Sequence, residues 1–248
     1  MFFIPLLLLI CVLVAPAAGY AVSVQEAERT ADLLAALLDA GRMVVDQNEG
    51  LIDDPHKGPK GFTPDVFGRQ VADEFARRTG IDLGHIRAAA VPTLAKELLP
   101  LLFEAEKQVV ADAQVIINQR GIGYKNFIPA TFASHAATKF SNRSQVRLKQ
   151  TTLNPRNPRN APDAYETAIL KAWTATGVGM GGSIDKHSET IENDGRVRIL
   201  MPLRYHRHCL SCHGEPAGQL DVSGFPKEGA KEGDLAGAIS ITIPLDHR

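Results

Sequence analysis

Cysteine is the scarcest informative residue in this chain: three in 248, at Cys11, Cys209 and Cys212. So few thiols exclude a disulfide-dense scaffold and any four-cysteine zinc or iron–sulfur site within one chain. An excess of charge of either sign is equally lacking, with 27 Lys and Arg against 28 Asp and Glu and a formal net charge of −1. No basic field is available to gather nucleic-acid phosphates, and no polybasic patch to hold an anionic membrane surface. The hydrophobic and charged fractions, 44% and 22%, match ordinary globular proteins and argue against disorder and fibrous repeats. A long hydrophobic run stands out only at the N-terminus.

There, Met1 to Val14 are almost wholly apolar, and Ala15-Pro16-Ala17-Ala18-Gly19 supplies small residues suited to a signal-peptidase cut. Residues 1–21 read as an export signal, which places the rest in a periplasmic or other extracytoplasmic compartment. No Lys or Arg precedes the run, and about 17 apolar residues also approach the lower limit for a membrane span. A retained anchor is therefore the alternative, and membrane association depends on it. Cys11 follows the bulky Ile10 and reads as part of the greasy segment rather than as a lipid-attachment site.

Sliding the sequence on itself by 65 residues aligns Leu33–Leu83 with Leu98–Leu148 without a gap and gives 16 identities in 51 positions. About 3 are expected from average composition, so the segment is an internal duplication. Leu33-Leu34, Leu37, Val44-Val45 and Ile52 recur as Leu98-Leu99, Leu102, Val109-Val110 and Ile117, at helical spacing. Thr63-Pro64-Asp65 is a helix start and Gly80 a helix stop. Each copy is expected to be a long amphipathic helix, a glycine-containing loop and a shorter helix with an inward Phe stripe. Residues 22–90 form the first hairpin unit and 91–145 the second.

After residue 146 the pattern changes. Val146–Thr152, Arg196–Leu203 and Leu235–Leu245 read as strands, with a turn at Asn193-Asp194-Gly195, and a helix is expected from about Asp163 to Thr174 with Asn160 as its cap. The fold class is α+β, duplicated helical hairpins ahead of a small antiparallel sheet at 146–248.

Cys209-Leu210-Ser211-Cys212-His213 is a CxxCH string, the signature of covalent c-type haem attachment. One turn sets both thiols beneath the porphyrin vinyl groups and directs the following imidazole at the iron. A thioredoxin-like CxxC needs a βαβ setting that is not evident here. A zinc site would crowd two Cys and a His into five residues with no distant ligand pair.

The run Leu153–Glu166 with its Asn-Pro-Arg-Asn-Pro-Arg core, then Leu200–Leu203, Cys209–Pro216 and Gly233–Ser240, resembles the Tll0287-like (DUF3365) family of haem proteins, over about Val91 to Leu245. The resemblance implies a PAS-like antiparallel sheet preceded by helices and carrying one c-type haem. It implies Cys209 and Cys212 as thioether attachment points and His213 as the proximal iron ligand. The family's distal cysteine has no counterpart, since no cysteine lies between Cys11 and Cys209. His135 is the first candidate for that position, and an ordinary surface histidine is the alternative. Arg156 and Arg159 are candidates for pairing with haem propionates; equally, their loop could simply turn the chain. Gly218–Asp234 reads as a flap over the haem edge or a solvated loop.

Two functions follow. One is an exported haem protein that senses redox state or a gas, or passes electrons to a partner protein, without turnover of its own. The other is a haem enzyme, peroxidase-like or nitrogen-oxide-reducing, with an open distal site.

Overall fold

The computed structural model describes residues 20–176, 186–191 and 195–247. Residues 1–19, including Cys11, lie outside them, as does the Asn193-Asp194 part of the expected turn.

A short strand β1 (Tyr20–Ala21) lies at the expected signal boundary and pairs with β6 (Asp246–His247). Ser23 then starts α1 (Val24–Ile52) through a capping box, accepting the Glu26 amide while Glu26 reaches back to the Ser23 amide. Thr63 caps α2 (Pro64–Thr79), and Gly80 ends it in the left-handed conformation at φ 71°. The second copy follows the same plan, with α3 (Thr93–Asp112) and α4 (Gln114–Ile117), separated at Ala113, standing where α1 is continuous. The second short helix, α5 (Pro129–Ser141), matches α2 from its opening proline.

The two copies meet through reciprocal contacts, as two subunits of a symmetric dimer would. The Lys60 amide donates to Asn118 Oδ1 at 2.8 Å, and the Lys125 amide donates to Asp53 Oδ1 at 3.1 Å. Asn118 and Lys125 are the 65-residue counterparts of Asp53 and Lys60. Phe67 packs on its own counterpart Phe132 with ring centroids 5.2 Å apart. Each also meets a second ring edge-on, Phe62 at 6.0 Å and Phe127 at 6.3 Å. Even the backbone repeats: Gly61 and its counterpart Asn126 share positive φ, 71° and 56°. Both loop lysines are buried, and their ammonium groups bond backbone carbonyls, Lys60 those of Asp54 and Lys57, Lys125 that of Ile122. Such partners are what make a buried lysine tolerable.

Where α1 crosses α3, Gly41 faces its own counterpart Glu106. A Cβ on Gly41 would lie 2.8 Å from the Phe132 ring and 3.0 Å from the Glu106 carboxyl. Glu106 is fully buried with no hydrogen-bond partner on either oxygen among the described residues, and burial pushes its pKa well above the ordinary carboxylate value.

The sheet is antiparallel with strand order β2-β5-β4-β3, from β2 (Arg147–Thr151), β3 (His187–Ile191), β4 (Arg196–Arg204) and β5 (Leu235–Pro244). Period-two alternation splits its faces. Leu148, Val197, Ile199, Ile239, Ile241 and Ile243 join the helices in one continuous core. Leu200 and Ala238 point the other way and meet Leu170 of α6 (Ala164–Ala175). The cap of α6 differs from the expected Asn160. It is Asp163, which forms a capping box with Glu166, while Asn160 instead accepts from Ser134 and Thr151 at the loop. A glutamate three residues past Asp163 decides between the two.

The aromatic seam between the copies should dominate stability. Phe67→Ala and Phe132→Ala are each expected to cost about 3–5 kcal/mol, and Gly41→Val to destabilise by forcing the Phe132 ring aside. Urea unfolding measures all three, and unchanged midpoints would refute the seam's role.

Candidate functional site

The chain leaves β4 at Arg204, forms a 3-10 turn at Arg207–Cys209, and passes directly into α7 (Leu210–His213). One helical stretch thus carries Cys209, Cys212 and His213. Both cysteines are free and half-buried. Burial pushes both thiols up, reinforced by Asp46 near Cys209 and by Asp221 and Glu49 near Cys212. A redox or nucleophilic cysteine needs the opposite shift. The flanking strands β4 and β5 are antiparallel neighbours, so the βαβ setting of a thioredoxin-like motif is absent here.

The His213 ring packs beside Tyr205 with centroids 5.0 Å apart, and its Nδ1 lies 2.7 Å from Glu228 Oε2. With Nδ1 donating to that carboxylate, the Nε2 lone pair is free to bind a metal, and the ring orientation is fixed. Glu228 is itself held by Arg156, through Nε to Oε1 at 3.1 Å and Nη2 to Oε2 at 3.2 Å. The same guanidinium donates to Asp221 Oδ2 at 2.5 Å and to the Cys212 carbonyl at 2.9 Å, and stacks on Phe225. Arg156 therefore joins the cysteine turn to the following loop.

That loop, at 218–234, is exposed along most of its length and folds back onto the cysteine turn. The Gly229 and Ala230 amides donate to the carbonyls of Gly214 and His213, which delivers Glu228 to the imidazole. Asp221 sits at its centre with a side chain closed off from solvent. Burial alone would raise its pKa. Hydrogen bonds from Ser223, Arg156 and the Phe225 and Ser223 amides more than offset that, holding the carboxyl far below its ordinary value of 3.8.

The other wall of the site is α1. Asp46 Oδ2 lies 3.1 Å from His208 Nδ1, and Arg42, Asp46 and Glu49 all act electrostatically on the cysteine turn. Burial raises the Glu49 pKa, and neighbouring Asp53 and Asp46 add to the shift. Tyr124, from the loop joining α4 to α5, reaches Ser223 and the surroundings of Cys212 and Asp221.

Of the residues singled out in the sequence, Cys209, Cys212, His213 and Arg156 come together. His135 and Arg159 are exposed and border a separate cleft of about 60 Å³ between α5 and β2, whose lining includes none of those four. Glu228, Asp221, Tyr124 and the acidic stripe of α1 were not singled out. Only the stripe had a readable signal, in Arg42, Asp46, Glu49 and Asp53 recurring at helical spacing. Among the described residues no three His, Cys, Asp or Glu side chains converge into a metal cage. The turn itself offers one imidazole with a free Nε2 and two thiols, the donor set that a porphyrin iron with thioether links would use.

Fold and site together define an α+β protein in which a CxxCH turn is braced by an arginine–carboxylate clamp. The chain belongs to the Tll0287-like family, whose model matches residues 21–244. The match takes in the first hairpin, so it begins well before the Val91 at which the motif resemblance starts. The solved "Crystal structure of the cyanobacterial heme-protein Tll0287" aligns at 19% identity and a TM-score of 0.42, covering 64% of this chain and 99% of that one. No curated protein matches.

Arg156→Gln leaves the buried Asp221 carboxylate without its guanidinium and is expected to cost roughly 2–4 kcal/mol at pH 7. Because the folded pKa of Asp221 is depressed, its stabilisation is present above the ordinary value near 3.8 and is lost as pH falls through the folded value. Urea unfolding at pH 7 and pH 3 should show a smaller loss at pH 3, and equal losses would remove the ion pair as the cause.

Proposed function

We propose that this chain is an exported c-type haem protein that senses redox state or a diatomic gas, or passes electrons, with one haem bound covalently through Cys209 and Cys212. His213 is the proximal iron ligand in this reading, and the sheet is the PAS-like frame on which the group sits. The carrying observation is the 2.7 Å contact between His213 Nδ1 and Glu228 on the same helical stretch as two free thiols. A carboxylate behind a ligating imidazole is the usual outer-shell partner of a metal-bound histidine. Membership of a family named after Tll0287, a protein whose solved structure is titled a heme-protein, supports the reading. The strand order β2-β5-β4-β3, with the last long strand inside the sheet, supports the PAS-like comparison.

When bound, the haem supplies an iron centre that changes oxidation state and takes up a small diatomic ligand. The chain's own part is to hold and tune it. Glu228 accepts the Nδ1 proton, which makes the imidazole a stronger donor and favours the oxidised state. Arg156 fixes Glu228 and the Cys212 carbonyl together, so the turn carrying thiols and imidazole keeps its shape. Asp46, Glu49 and Asp221 add negative charge nearby and act in the same direction. The propionate and distal-ligand roles that the sequence suggests for Arg159 and His135 are not part of this reading, because both side chains border the separate cleft between α5 and β2.

Expression with the haem-attachment machinery, followed by a haem-stained denaturing gel, tests the assignment. Wild type should give a haem band and Cys212→Ala a diminished one; no band, or an undiminished one in the variant, would overturn it. Glu228→Gln should keep the band and raise the midpoint potential, while an unchanged potential would remove Glu228 from the proximal role. Six-coordinate low-spin spectra in both oxidation states favour a carrier, and high-spin iron with fast peroxide turnover favours an enzyme.

A further inference from the structure

Among the described residues, the sheet face turned away from α1 is covered at one end. There α6 packs Leu170 onto Leu200 and Ala238. Further along the same face the strands line an open hollow of about 450 Å³, within the range of small-molecule sites. Its floor is Ser240 and Thr242 of the central strand β5, and its walls carry Arg147 and Lys149 from β2 and Arg196 and Arg198 from β4. None of the residues of the cysteine turn belongs to it.

The charges in the hollow do not cancel. Lys149 is satisfied by Glu166 at 2.7 Å, and Arg198 by Asp163 at 2.6 Å and by stacking on Tyr165. Among the described residues these two acids are the carboxylates of the lining, and both are already engaged. Arg147 and Arg196 are left over, exposed and without an ion-pair partner among the described residues. Arg147 pairs across the ladder with Thr242, and Arg196 with Pro244 two residues on, so they flank β5 from opposite sides. Strand spacing puts their Cα atoms about 12 Å apart, close enough for two long side chains to converge on one guest above the Thr242 and Ser240 hydroxyls. Two unmatched guanidinium groups over a polar floor call for two negative charges on the guest.

We propose that this hollow is a binding site for a small organic dianion, a dicarboxylate or a phosphomonoester. Arg147 and Arg196 grip the anionic groups, while Thr242 and Ser240 donate hydrogen bonds between them. The paired Lys149 and Arg198 stay with Glu166 and Asp163 and shape the hollow.

Calorimetric titration of the full exported chain with succinate, glycerol phosphate and acetate, at low salt, tests the site. Saturable one-to-one binding of at least one dianion is expected, with acetate weaker by about tenfold or more. The preferred dianion separates carboxylate from phosphate recognition. Arg147→Gln and Arg196→Gln should each weaken binding about tenfold, with the thermal midpoint without ligand and the haem band unchanged, since both side chains are exposed. No saturable binding of either dianion, or binding undiminished in the double variant, would overturn the proposal.

Discussion

The burial of α1 on two sides at once is the constraint on which the rest of the molecule depends. One side supplies Leu34, Leu37, Leu38, Val44 and Val45 to the core shared with α2, α3, α5 and the sheet. The other presents Arg42, Asp46 and Glu49 to the cysteine turn. A helix advances 100° per residue, so rotating α1 by one position would drive Asp46 toward the core. A close-packed interior does not permit that slide. The fit of leucines and valines on one side thereby fixes the electrostatic surroundings of the motif on the other.

Duplication explains how such a helix came to be held so firmly, and divergence explains how it acquired a task. The reciprocal bonds of Lys60 with Asn118 and Lys125 with Asp53, and the pairing of Phe67 with Phe132, are contacts a symmetric dimer would make. Away from that axis the copies differ where their surroundings differ. The α1 residues Asp46, Glu49 and Asp53 correspond to Ala111, Gln114 and Asn118 in the second copy. Those counterparts have no cysteine turn beside them. Gln114 instead donates to the Phe62 carbonyl, so that position became structural, while Asn118 makes with Lys60 the same bond that Asp53 makes with Lys125. The acids persist only in the copy that meets the motif.

Local chemistry made much of the fold legible. Thr63, Pro64 and Gly80 bracket α2, and β-branched runs mark β4 and β5, because capping and period-two alternation act over a few residues. The CxxCH turn was legible for the same reason, since its geometry is complete within five residues. Glu228 was not. It lies 15 residues beyond His213 in a glycine- and lysine-rich stretch without period, and it reaches the imidazole only because loop amides bond back to Gly214 and His213. The expected cap at Asn160 failed on a finer point. Only Asn160 is expected as a cap from the sequence, whereas Asp163, three residues on, is the residue whose spacing to Glu166 completes a capping box. The grouping of His135 with Arg159 arises from α5 packing beside β2, a long-range relation that no local pattern carries.

The near-zero net charge conceals a segregation. Around the cysteine turn the acids Asp46, Glu49, Asp221 and Glu228 outnumber Arg42 and Arg156. Across the sheet, among the described residues, four cations line the hollow against two acids. Each imbalance is local, and the intervening apolar core of Ile239, Ile241 and Ile243 keeps the two sets apart. At physiological ionic strength exposed charges are screened within about 8 Å, so the two fields act on what sits beside them and little on each other. A cationic centre at the turn and an anionic guest in the hollow would each meet a surplus of the opposite sign. A chain with almost no net charge can therefore be strongly selective at two places, because selectivity depends on where the charges lie rather than on their sum.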